Sequence, residues 1–167
     1  STQAKTLFPY TTLFRSITTE MIRRALAHRG GEAGAVSEAD ARAVLEIACL
    51  AVASDGKIAD EERAVLHVLA TELRAYRQAE LDALVHACNQ QTRDERVERL
   101  RAVGASLSSD AARHLAYRVS IVTAMADLAA ADEEFEFDLD LQDALDLAPD
   151  VADDLSAGVH AALSPEA

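Results

Sequence analysis

The sequence predicts an all-α protein, on three observations. Half of the 167 residues are hydrophobic, whereas glycine and proline number only 6 and 3. Apolar residues recur at three- and four-residue spacings through most of the chain, which is the period of a helix with one buried face. Helix caps and breakers separate these periodic stretches. We therefore expect a single compact helical domain.

Start and stop signals place the helices of the first half. The pair Asp55-Gly56 lies between two strongly periodic segments and is expected to separate two helices, since glycine commonly ends a helix. Thr92-x-x-Glu95 has the form of a capping box. The expected helix starts are, in order, near Glu20, Ser37, Asp60, Leu81 and Thr92.

The second half is predicted with less regular signals. A long apolar helix is expected to begin at Ser108 or Ser109 and to run to about Ala131, ending at Asp132. Residues 134–141 alternate acidic and apolar side chains, which by itself is a strand pattern. No other segment offers a partner strand, so we expect a loop followed by a short helix over 138–147. Pro149 fits the first turn of a last helix.

The N-terminal segment differs from the rest of the chain. Residues Thr6–Ser16 read TLFPYTTLFRS, which resembles the translation of a common DNA sequencing adaptor. We therefore interpret residues 1–16 as an artefactual, non-native segment. Residues 17–36 are expected to form an N-terminal helix and linker, and residues 37–164 the helical domain.

Charge is distributed unevenly. The net charge is −13. Residues 1–118 carry equal numbers of acidic and basic side chains, whereas residues 119–167 hold 13 Asp and Glu and no Lys or Arg. Such a surface repels phosphate backbones and anionic lipids, so we expect neither nucleic-acid binding nor membrane insertion. Suitable partners are divalent cations or a protein with a basic surface.

Two segments resemble each other and also a known family. The segments beginning at Cys49 and Ala124 each run through an apolar helix to an aspartate, followed three residues later by an apolar residue and then by acids. The pattern resembles the TerB-like (tellurite resistance) family. The residues that carry the resemblance are Ser54, Asp55, Gly56, Ile58 and Glu62 in the first copy, and Asp132 and Phe135 in the second. In the second copy Glu133 replaces the glycine, and Leu139 stands where the family's second glutamate is expected.

The repeat suggests a single compact bundle built from two related helical hairpins. The resemblance implies that this bundle has about seven helices and is a non-enzymatic, acidic binding module in the bacterial cytoplasm, linked to tellurite or other stress. It also implies divalent-cation binding, with Ca²⁺ and Mg²⁺ as the candidate ions. If the two hairpins face each other, the candidate ligands are Asp55, Glu62, Asp132 and Asp138. The alternative for the two aspartates is structural: each would follow a helix and accept hydrogen bonds from the start of the next one.

Other hypotheses remain open at this stage. The same carboxylates could serve a metal-dependent hydrolase, and the chain could be a structural domain of a longer protein. Acids from Asp132 to Asp143 follow the spacing of a calcium-binding EF-hand loop, but Phe137 occupies the position that needs glycine.

Several remaining polar residues have structural interpretations. Cys49 and Cys88 fall on apolar stripes and are expected to be buried free thiols in a reducing cytoplasm. The histidines are expected at the surface. The acids after Asp143 are expected on a solvated face, and the arginines of the Thr92 helix in ion pairs along that helix or against another copy.

Overall fold

Eight helices make up the regular structure of the described residues. The computed structural model describes residues 17–27, 36–54, 56, 58–126 and 131–164, and for 131–136 the backbone alone. The helices are α1 (Thr19–Ala27), α2 (Glu38–Ala53), α3 (Asp60–Leu73), α4 (Gln78–Gln90), α5 (Arg93–Ser106), α6 (Asp110–Ala124), α7 (Ala131–Ala144) and α8 (Pro149–Ala162). The all-α prediction is confirmed for this part of the chain, with eight helices against the expected seven or so.

Helices α2 and α6 form the centre of the fold. They pack against each other more extensively than any other pair among the described helices. Glu46 is the one charged residue between Val44 and Ala53, so α2 can be surrounded on most sides. α3, α4 and α5 pack around α2, whereas α8, α1 and α3 pack around α6. Burial of these apolar faces is the main source of stability, because each buried leucine-sized side chain contributes about 1.5–3 kcal/mol.

Local capping explains where the first helices begin. The Ser37 hydroxyl accepts a hydrogen bond from the Asp40 amide at 3.1 Å, as expected for an N-cap. Thr92 caps α5 in the same way, and its own amide donates a hydrogen bond to Glu95 Oε1 at 2.8 Å. After α2, Gly56 adopts a φ of +78°, which favours glycine and turns the chain out of the helix.

The prediction for the second half is wrong at the end of α6 and at the start of α7. α6 ends at Ala124, and the Ala126 amide donates to the Thr123 carbonyl at 3.1 Å in a tightened final turn. Asp132 does not end this helix, since it is the second residue of α7. The acidic stretch over 134–141 is neither a strand nor a loop but lies within the continuous helix α7. A continuous helix cannot wrap around a calcium ion, so the EF-hand alternative is excluded.

Helix boundaries recur at an interval of 71 residues. α3 begins at residue 60 and α7 at 131; α4 begins at 78 and α8 at 149; α2 ends at 53 and α6 at 124. The sequence repeat inferred from Asp55 and Asp132 has an interval of 77 residues. It therefore pairs residues that do not occupy equivalent positions in the two sets of helices. We refer to α2–α4 as the first unit and to α6–α8 as the second unit.

Helix α1 joins the same core. Its apolar face, with Ile22, Ala25 and Leu26 buried, packs against α8 and α6. The guanidinium of Arg23 on this helix forms an ion pair with Glu72 on α3. Within the described ranges, every helix is too short or too polar to cross a membrane.

Candidate functional site

A cavity between the two units brings two of the predicted ligands together. Glu62 on α3 and Asp138 on α7 both line it, and α2 and α6 supply the rest of its wall. Its volume is about 50 Å³, which is room for a few atoms the size of a water molecule. The apolar lining residues are Ala51, Val52, Ile121, Ala124, Phe137 and Leu141.

Glu62 is a nearly buried carboxylate. It is 4% exposed, and its Oε1 accepts a hydrogen bond from the Ala59 amide at 2.9 Å. This bond closes the first turn of α3, where free amide groups favour a negative charge. The helix N-terminus therefore stabilises an ionised carboxylate at a position from which most water is excluded.

Asp138 is half-buried, and other side chains orient it. Tyr117 on α6 donates its hydroxyl proton to Asp138 Oδ1 at 2.7 Å, and Gln142 donates its amide to Oδ2 at 2.8 Å. Burial, followed by the hydrogen bond to Asp138, raises the pKa of Tyr117 above its ordinary value. The phenol therefore stays a donor, which holds the carboxylate in one rotamer at the cavity wall.

Three hydroxyl groups complete the polar lining, and all three use their protons within their own helices. Ser54 donates to the Ala51 carbonyl at 2.7 Å, Ser120 to the Ala116 carbonyl at 2.9 Å, and Thr123 to the Ser120 carbonyl at 2.8 Å. What each hydroxyl can offer a ligand is an acceptor lone pair. The polar side chains described around the cavity are thus all acceptors.

A second cavity of about 100 Å³ adjoins the first one. Ser54 and Phe137 line both cavities. The second cavity lies between α5 and α7, where Val97 and Leu100 form its apolar side. Its charged residues are Arg93, Arg96 and Asp140. The arginines of α5 therefore meet the acidic helix of the same molecule.

Two arginines of α5, Arg96 and Arg99, do not form the expected ion pairs along the helix. Arg99 forms a two-point ion pair with Glu46 on α2, with N–O distances of 2.5 and 2.8 Å. Arg96 donates to the Gln91 carbonyl at 2.5 Å. The pair between Arg99 and Glu46 joins α5 to α2, whereas the contact of Arg96 is local to the start of α5.

Of the four predicted ligands, Glu62 and Asp138 are brought together. Asp55 lies outside the described residues, and the side chain of Asp132 does too, so their part in the site stays a prediction. Among the side chains that the structure describes, no group of three or more His, Cys, Asp or Glu could hold a metal ion.

Sequence reasoning missed the residues that support Asp138. Tyr117 and Gln142 carry no motif, although Gln142 follows Asp138 by four residues and so lies on the same helix face. The adjoining cavity with Arg93 and Arg96 depends on the packing of α5 against α7, which no local pattern indicates.

The remaining polar predictions are mostly confirmed. Asp146, Asp150, Asp153 and Asp154 are exposed, and so is His86. Cys49 and Cys88 are buried free thiols.

One histidine prediction is wrong. His67 is half-buried rather than exposed, because its Nε2 lies 3.1 Å from Asp82 Oδ1 on the neighbouring helix α4. His114 is also half-buried.

Comparison with known proteins leaves the resemblance as a prediction. No family model matches the chain, and neither the curated proteins nor the solved structures yield a match.

Proposed function

We propose that this chain is a non-enzymatic, acidic helical binding module of the TerB-like kind that holds a cation between its two units. The observation that carries the proposal is that Glu62 and Asp138, from separate units, line one cavity. Both side chains are fixed by hydrogen bonds at the cavity wall. A fixed pair of carboxylates in a site with little water attracts a cation more strongly than the same pair on an open surface.

The cation is either Ca²⁺ or Mg²⁺, or a positively charged side chain of a protein with a basic surface. Asp55 and Asp132 are the further ligands that a divalent ion would need. A link to tellurite or other stress rests on the family resemblance alone.

Titration of the full chain with Ca²⁺ and Mg²⁺, followed by the amide resonances in NMR spectra, tests the divalent-ion form of the proposal. We expect the amides of cavity residues such as Ser54 and Thr123 to shift at millimolar cation, and the shifts to weaken in Glu62→Gln and Asp138→Asn. Asp55→Asn and Asp132→Asn test whether those residues complete the site. If the wild-type amides around the cavity do not move, divalent-cation binding is removed from the proposal.

A basic protein partner is tested separately with a lysine-rich peptide. The same amides should shift, and the shifts should weaken in Glu62→Gln and Asp138→Asn. If neither the divalent ions nor the peptide shifts them, the cavity is not a cation site and the proposed function fails.

A further inference from the structure

The two adjoining cavities differ in chemical character, and together they indicate the chemistry of the ligand that would fit them. The first one presents acceptors and two carboxylates, whereas the second one is lined by the hydrocarbon of Val97 and Leu100, by two arginines and by Asp140. Phe137 lines both cavities.

The polar lining of the first cavity selects a hydrogen-bond donor. Ser54, Ser120 and Thr123 have donated their protons to backbone carbonyls, so their oxygens are left as acceptors. Together with Glu62 and Asp138, they form a set that a ligand with several N–H groups can satisfy. An alkylammonium group has three donors and one positive charge in a compact head.

The apolar lining argues against a bare divalent ion as the best occupant. Ca²⁺ requires about six to eight oxygen ligands, and Mg²⁺ keeps several of its waters. Val52, Ile121 and Leu141 line the cavity of about 50 Å³. A divalent ion that entered it would lose water ligands, and these side chains offer no oxygen atoms in their place. An ammonium head on an alkyl chain, by contrast, has an apolar part to place against hydrocarbon.

We propose that the paired cavities bind a primary alkylammonium group, with the ammonium between Glu62 and Asp138 and the alkyl chain passing Phe137 toward Val97 and Leu100. This inference rests on the proposed function, because it names the cation that the cavity takes. The group could come from a lysine of a partner protein or from a small free amine, and the two share the same chemistry.

The arginines of the second cavity predict which amines should bind more tightly. Arg93 and Arg96 outnumber Asp140 among the charged residues of the second cavity, so a second ammonium there is less favourable than an uncharged chain end. Simple attraction to a chain of net charge −13 predicts the reverse, since a diamine carries twice the charge. The order of affinity between a monoamine and its diamine therefore separates a built site from general electrostatics.

The test is an NMR titration of the full chain with n-pentylammonium, the diamine cadaverine, neutral 1-pentanol, and Ca²⁺. We expect n-pentylammonium to shift the amides of Ser54, Thr123 and Gln142, and to bind more tightly than cadaverine. Loss of the charge in 1-pentanol should weaken binding by about tenfold or more. Tighter binding of cadaverine, or equal binding of 1-pentanol, overturns the inference.

Matched variants locate the site. Glu62→Gln and Asp138→Asn should each weaken n-pentylammonium by about tenfold. Glu61→Gln and Asp143→Asn remove the same charge from exposed neighbours on the same helices, and they should change affinity less than about twofold. Glutamine at position 62 still accepts the Ala59 hydrogen bond, so α3 keeps its first turn. Equal effects of the two sets overturn the inference.

The remaining comparisons distinguish the two sources of the amine, and they distinguish failure of this inference from failure of the proposed function. A lysine peptide that shifts the same amides as n-pentylammonium indicates a protein partner, whereas n-pentylammonium acting alone indicates a small amine. Saturable shifts with Ca²⁺ but none with n-pentylammonium overturn this inference and leave the binding module standing. If none of the cationic ligands shifts the cavity amides, both proposals fail.

Discussion

The first and second units have helices of similar length but bury them differently. α3 and α7 each contain 14 residues and occupy equivalent places at the 71-residue interval. On α3, Leu66, Leu69 and Leu73 are buried against the centre of the fold. Their equivalents on α7 are Phe137, Asp140 and Ala144, which are all half-buried.

Packing partners explain the difference. α3 contacts α2, α6 and α4, whereas α7 rests mainly on α5 and makes fewer contacts with α6. A helix with fewer buried positions can carry acids on several faces, because each carboxylate keeps access to water. The acidic sequence is therefore placed on the helix whose position in the fold can accept it. Among the described acidic side chains, Glu62 of the first unit and Asp138 of the second line the cavity between the units.

The largest effect is expected from comparing Leu69→Ala with Asp140→Ala, which are substitutions at equivalent positions of α3 and α7. Leu69 is fully buried, so its truncation should lower the free energy of unfolding by about 2–5 kcal/mol. Asp140 is half-buried at the surface of α7, and its truncation should cost less than about 1 kcal/mol. Urea unfolding of both variants measures this. Similar losses would mean that α7 is as deeply anchored as α3.

The contact that holds α7 gives the second test. A Cβ added at Gly104 on α5 would lie 2.6 Å from the Ala144 carbonyl oxygen, which is closer than atoms can approach. Gly104→Ala should therefore push α7 away and cost about 1–3 kcal/mol. In a helix free of such contact the same change should gain nearly 1 kcal/mol through helix propensity. A gain in the unfolding midpoint would show that α5 and α7 are not in close contact.

Much of this arrangement could be read from the sequence where local chemistry decides it. Ser37, Thr92 and Ser109 start helices because their hydroxyls bind free amides of the first turn, and that interaction needs only neighbouring residues. Glu62 and Asp138 were selected in a different way: Glu62 carries the family resemblance, and Asp138 lies next to Leu139, where the family's second glutamate is expected.

The end of α6 and the nature of α7 could not be read in this way. The residues after Ala124 are good helix formers, so no breaker marks the boundary between α6 and α7. Alternating acids and apolar residues indicate a strand only when one face is buried by a partner sheet. The role of Tyr117 follows from the packing of α6 against α7, and that of Arg93 from the packing of α5 against α7.

The thiols of the first unit supply a pH test, because Cys49 and Cys88 occupy positions at which the second unit has Ser120 and Val159. Burial is the main cause that raises the pKa of Cys88 from 9.0 to about 11. Below pH 9 the thiol is protonated in both states. Between pH 9 and 11 the unfolded chain ionises first, so stability is lost as the pH rises, by about 2 kcal/mol in all.

Urea unfolding across this pH range compares the wild type with Cys88→Val, which installs the second unit's residue. The variant should lose less stability than the wild type between pH 9 and 11. Parallel curves for the two proteins would show that this thiol does not ionise on unfolding.

The smallest expected effect concerns Arg118 of α6, whose equivalent on α2 is the fully buried Ile47. Arg118 is 5% exposed, its Nε has no hydrogen-bond partner within the described residues, and burial lowers its pKa. Removing water from a guanidinium without compensation costs free energy, so Arg118→Ile should raise the free energy of unfolding by about 1 kcal/mol. Arg113→Ile, at a half-buried position one turn earlier with an ion pair to Asp110, is the control and should be neutral or slightly destabilising. A loss of stability in Arg118→Ile would mean that the charge is compensated in the folded protein, and the centre of the second unit would then be organised differently from that of the first.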